Sequence, residues 1–126
     1  MKYLLIIQVN PATLESLSEA ERTEIAEGQS TFIDTITASG EMVGTQALAD
    51  PSQSAVVRGR PGASTVTDGP FLEAKEYMGG FYLVDCESVE RAHELAAMIP
   101  GTEHLPVEVR PVIYMAGYGL AEPDIA

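Results

Sequence analysis

Within the run DGPFLEAKE the chain carries three carboxylates, Asp68, Glu73 and Glu76, and one ammonium group, Lys75. A carboxylate beside a pocket can take a proton from a bound molecule or anchor it, and Asp68 and Glu73 are the candidates for that transfer. Asp68 also suits a second role. An aspartate before Gly69 and Pro70 can accept backbone amides and hold the bend those residues build. Lys75, flanked by acids, stays protonated and so serves as an anion anchor rather than a nucleophile. Glu73, Lys75 and Glu76 read either as solvated surface charge or as the rim of a pocket. The second reading rests on the double glycine and apolar strand that follow them.

A second charged pair, Glu108 and Arg110, alternates with Leu105, Val107 and Val109. On a strand the two sets point to opposite faces. If the apolar set packs under helices, Glu108 and Arg110 face a cavity or a subunit seam. They would form an intersubunit ion pair there, or a clamp for an anionic ligand, since a guanidinium matches a carboxylate in bidentate fashion. Gln29 reads as a satisfied core or interface amide. His93 and His104 have no Cys or acid partners at ligand spacing, so no metal site is expected. Cys86 is the single cysteine, which excludes an intramolecular disulfide, and it reads as a small buried hydrophobe. No GxGxxG, P-loop or GxSxG motif occurs, and no organic cofactor is expected.

These residues need a scaffold. Tyr3–Val9 is a nearly continuous apolar run, the pattern of a strand covered on both faces, and it is a better strand than leader peptide because Gln8 interrupts it. Ser18 and Glu21 form a capping box that starts a helix with Ile25, Phe32, Ile33 and Ile36 on one stripe; Gly40 ends it. Met42–Leu48 is a second strand. Two β-like runs around Gly59, Pro61 and Gly62 predict a hairpin. Gly80–Asp85 is another strand, Ser88 caps a second helix burying Val89, Ala92, Ala96 and Ile99, and Leu105–Val112 closes the pattern. The order predicts an α+β fold, a split βαβ or ferredoxin-like arrangement with an inserted β-hairpin and helices on one sheet face. The other face is too apolar to stay wet, so a homodimer is expected.

At 126 residues the chain is one domain in size, with residues 1–116 as its body and 117–126 as a patternless tail. A net charge of −12 argues against nucleic acid and anionic membranes as partners. With no stretch of transmembrane length, a cytoplasmic location is expected.

The block DGPFLEAKEYMGGFYLVD resembles the signature of the DGPF proteins, a branch of the YCII-related family, and the likeness runs from the first strand through VEVRPV. The resemblance implies a ferredoxin-like subunit that forms a dimeric α+β barrel, two sheets enclosing a shared cavity. It implies no particular reaction. Better-known relatives carry a histidine on the first helix, paired with an aspartate; this chain has none there, so that dyad does not transfer. Two functions follow from these expectations. One is a cofactor-free small-molecule enzyme using Asp68 or Glu73 for proton transfer and Lys75 or Arg110 as anion anchors. The other is a non-catalytic module that binds a metabolite or a protein.

Overall fold

The computed structural model describes residues 1–69 and 75–126. The apolar opening run forms strand β1 (Lys2–Val9). Asn10 then accepts amides from Ala12 and Thr13, and with Pro11 in the first turn it starts a short helix, α1 (Pro11–Ser16). Asn at the cap and Pro at the first helical position mark this helix start, which the sequence reading did not include. Helix α2 (Glu19–Ala38) carries the expected capping box, with Ser18 and Glu21 each accepting from the other's amide. Gly40 adopts φ +80° beyond its end.

Strand β2 (Met42–Ala47) follows, then a 3-10 turn at Pro51–Gln53 and the predicted hairpin, β3 (Ala55–Arg60) with β4 (Ala63–Asp68). Strand β5 (Tyr77–Asp85) begins three residues before the predicted start at Gly80. Ser88 caps helix α3 (Val89–Met98), its side chain accepting the Arg91 amide. Strand β6 (Val107–Pro111) is shorter than predicted. It starts after Pro106, which can donate no ladder hydrogen bond.

The four-stranded sheet has the order β2-β5-β1-β6, every neighbour antiparallel. This is the strand order of a split βαβ unit, and the chain is an α+β protein. Alternation along the strands divides the sheet. Tyr3, Leu5, Tyr82, Val84 and Cys86 pack with Phe32 and Ile36 of α2 and with Ala92, Leu95 and Ala96 of α3. Leu5, Ile36, Leu95 and Val84 are fully buried. Each such side chain contributes roughly 1.5–3 kcal/mol relative to exposure. The Phe32 and Tyr82 rings meet edge to face, their centroids 4.9 Å apart and their planes at 82°. The Tyr82 hydroxyl donates to Gln29 Oε1, so the oxygen of this partly buried amide is satisfied.

The C-terminal residues are more ordered than the sequence suggested. Strand β7 (Tyr114–Met115) pairs with β8 (Asp124–Ile125), and Lys2 forms an ion pair with Asp124. Two-residue strands paired across an eight-residue gap leave no periodic signal in the sequence.

Candidate functional site

The face turned away from the helices is read from the strand registers. Leu4 lies between Arg110 on β6 and Leu83 on β5, and Ile6 lies between Glu108 and Phe81. Gly44 and Gln46 of β2 extend these two rows. The result is an apolar strip of Leu4, Ile6, Phe81 and Leu83, bordered on one side by Glu108 and Arg110. Ile6 and Leu83 are buried, whereas Leu4 and Phe81 are partly exposed. Val107 and Val109 pack toward the helix-side core, so Glu108 and Arg110 project to the open face. Arg110 donates to Glu108 in an ion pair, and its side chain is 66% exposed. That exposure leaves guanidinium N–H groups available to a ligand on this face.

The tail reaches the same face. A Cβ placed on Gly44 would lie 3.4 Å from the Tyr118 ring, so the ring rests on the Gly44 end of the Leu83 row. Tyr118 takes a positive φ of 51° between two glycines that are also left-handed, which turns the ring back over the sheet.

Asp68 ends β4, opposite Ala55, and is exposed. Among the described residues its carboxylate accepts no hydrogen bond. Next to it the Gly69 amide donates to the Ser54 carbonyl at 2.8 Å, and a Cβ at Gly69 would meet Ser54 Oγ at 2.1 Å. Glu73 lies outside the described residues. Lys75 and Glu76 are exposed immediately before β5 and form no ion pair among the described residues. Strand β1 separates β5 from β6 by two strand spacings, about 10 Å across the sheet, and Tyr77 pairs with Val9 whereas Glu108 and Arg110 pair with Ile6 and Leu4, so the two groups are displaced along the strands as well. The structure therefore brings Glu108 and Arg110 together but does not bring the Lys75–Glu76 group or Asp68 into contact with them.

The double glycine has a clear local cause. Ile7 pairs with Gly80 and Gln8 with Met78, so Gly79 is an extra residue, a β-bulge. A Cβ on Gly80 would lie 2.5 Å from the Gln46 carbonyl oxygen, and one on Gly79 would lie 2.5 Å from a Val9 methyl. These glycines let β2 and β1 approach β5 closely.

Two charged or polar groups escaped the sequence reading. Arg91 forks onto both oxygens of Glu41, at 3.0 and 2.9 Å, and also holds Glu94; Ser39 donates to Glu41 as well. Hydrogen bonding from Arg91, above all, holds the Glu41 carboxyl below its usual range. This network pins the α2–β2 turn to α3 on the side away from the strip. His104 lies 3.3 Å from Glu21, beside the α2 capping box. Neither could be found from spacing, because the partners are 50 and 83 residues apart in the chain. Cys86 is buried, and burial pushes its thiol upward, which makes it a poor nucleophile.

Surface depressions of about 280 to 330 Å³ occur at the hairpin tip, beside His104, at the N-terminus and beside Met78. None of these four is lined by Asp68, Lys75, Glu76, Glu108 or Arg110. Among the described residues no three His, Cys, Asp or Glu side chains converge to hold a metal ion, and no helix is long and apolar enough to cross a membrane.

An uncharacterized protein of Rhizobium meliloti (strain 1021) is 43% identical over 49 residues, a stretch covering 39% of this chain and 40% of that protein. The matched stretch thus spans less than half of that relative. The YCII-related domain model, in contrast, matches residues 1–116, and its span takes in β1 through β7, the strip and the Glu108–Arg110 pair. The chain belongs to the YCII-related family.

Proposed function

We propose that two copies of this chain pack their open sheet faces into a dimeric α+β barrel, and that the enclosed cavity binds a small anionic molecule. Arg110 is its anchor, Glu108 orients that guanidinium, and Leu4 and Phe81, the partly exposed members of the strip, contact the apolar part of the ligand. The observation that carries this reading is the strip itself: apolar residues on the face without helices, with one largely exposed arginine on its border. Small-molecule sites have this makeup, a mostly apolar lining with few polar groups that fix orientation. Asp68 and Glu73, with Lys75 and Glu76 as further charged contacts, supply carboxylate acid–base chemistry from the rim once a second copy closes the site.

A non-catalytic metabolite-binding or regulatory module is the second reading. It is favoured by the exposure of Asp68 and Glu76, because a catalytic carboxylate gains its tuned proton affinity from burial. One experiment addresses both. Thermal-shift titration with a panel of small mono- and dicarboxylates is expected to find stabilising ligands, and Arg110→Met to abolish the shift. Asp68→Asn and Glu73→Gln then divide the readings: turnover lost with binding kept supports the enzyme, and binding without turnover in the parent protein supports the module. An Arg110→Met protein that binds the same carboxylates equally well would sink the proposal.

A further inference from the structure

Tyr118 stands where turn chemistry argues against it. The Leu120 amide donates to the Gly117 carbonyl at 2.9 Å, closing a turn whose central residues, Tyr118 and Gly119, have φ of 51° and 76°. Turns with positive φ at both central positions are dominated there by Gly, Asn and Asp, because a bulky side chain crowds its own backbone. The turn is nevertheless well held. Strands β7 and β8 pair on its two sides, the Ala126 amide donates to the Ile113 carbonyl at 2.9 Å, Lys2 pairs with Asp124, and Met115 is buried. An unfavourable residue in a well-held turn points to a task for its side chain.

That side chain reaches the open face of the sheet. Cε1 and Cδ1 of the Tyr118 ring lie 3.4 and 3.8 Å from the place of a Cβ on Gly44, so one edge of the ring fills the space a β2 side chain would take. The residue stays 58% exposed, so packing alone gives little return for the strained backbone. The strand registers put Gly44 in one row with Leu83, Leu4 and Arg110. The two ends of that row are three strand spacings apart, about 14 Å. A guanidinium stands at one end and an aromatic ring at the other, with the partly exposed Leu4 between them. This interval suits a carboxylate on a short arm that carries one flat ring. The carboxylate forks onto Arg110, and the ring lies over Leu4 and meets Tyr118 in offset or edge-to-face contact.

We propose that Tyr118 is a specificity residue that makes small aryl carboxylates the preferred ligands of this face. The inference rests on the Arg110 site of the preceding reading and adds the group that recognises the other end of the ligand. The test is isothermal titration calorimetry of the full chain with two probes, hydrocinnamate and butyrate, which share a carboxylate and a short arm but differ in the ring. The parent is compared with Tyr118→Asn, Tyr118→Phe and Arg110→Met. Asparagine accepts the left-handed conformation, so the turn is retained while the ring is lost, and phenylalanine keeps the ring.

The parent should bind hydrocinnamate about tenfold more tightly than butyrate, and Tyr118→Phe should keep that ratio. Tyr118→Asn should bring the two probes level by weakening hydrocinnamate alone, with a thermal midpoint no lower than the parent's. Arg110→Met should lose both probes. Failure of the parent to bind either probe, or binding indifferent to Arg110→Met, overturns the Arg110 site and this inference together. A parent that binds both probes equally, or a Tyr118→Asn protein that keeps the preference, overturns the role of Tyr118 and leaves the Arg110 site standing. A lower midpoint in Tyr118→Asn with both probes weakened alike assigns the ring to holding the tail, and overturns its role in selection as well.

Discussion

Replacing Gly80 by alanine puts a number on the close approach of β2 to β5. The new Cβ would lie 2.5 Å from the Gln46 carbonyl oxygen and 3.1 Å from the Ala47 Cα, both backbone atoms that cannot rotate away. Ordinary contact begins near 3.4 Å, so β2 must move by roughly 0.9 Å, which disturbs its ladder with β5. Overpacking of this kind costs about 1–3 kcal/mol. The stiffer unfolded chain returns about 0.4–1 kcal/mol. A net loss near 1–2 kcal/mol lowers the melting midpoint of a domain this size by about 4–8 °C. Gly79→Ala should lose less, because its obstacle is the end of the Val9 side chain. Gly59→Ala, with nothing within 4 Å, should be close to neutral. Urea and thermal unfolding followed by circular dichroism measure all three. If Gly80→Ala is as stable as Gly59→Ala, the glycine pair is not there to admit a neighbouring strand, and the account of this segment fails.

Other outcomes follow from the same geometry. Tyr82→Phe keeps the ring contact with Phe32 but removes the hydrogen bond to Gln29, for a loss of about 1 kcal/mol in urea unfolding. In the parent, spectroscopic titration of Tyr82 should run above the usual phenol value, because burial raises it. Glu41 is held below its usual value of 4.5 by Arg91, so its contribution to stability is complete above that value and is lost as pH falls through the lower folded value. Glu41→Gln should therefore flatten the acid limb of the stability–pH curve, and an unchanged limb would show the pair to be idle. Asp68→Asn should leave the thermal midpoint unchanged, since the carboxylate accepts no hydrogen bond from the described residues; a marked drop would support the turn role.

Much of the scaffold was legible because its signals are local. The Ser18–Glu21 capping box, the Ser88 cap and the alternation of Val107 and Val109 with Glu108 and Arg110 are each written within four residues. What stayed hidden depends on distant partners. The start of β5 was misplaced because glycine argues against a strand, and only the bulge against β1 explains Gly79. The Arg91–Glu41 fork and the Tyr118 ring over Gly44 join residues that no periodicity connects. Of the proposed site, the shared face of Glu108 and Arg110 could be read directly, since period-two alternation fixes it. The relation of Asp68, Lys75 and Glu76 to that face could not, because it depends on where the hairpin lies and on what covers the sheet. Gln29 could be read as a satisfied amide, whereas its partner Tyr82, 53 residues away, could not be found from the sequence.

The central claim, a two-chain cavity with Arg110 as its anion anchor, is tested most directly by native mass spectrometry of gently purified protein. The account predicts a species of two 13.5 kDa chains carrying a small anionic molecule, and loss of that molecule in Arg110→Met with the dimer intact. A single chain at all concentrations, or a dimer that holds the same molecule equally well without Arg110, would contradict it.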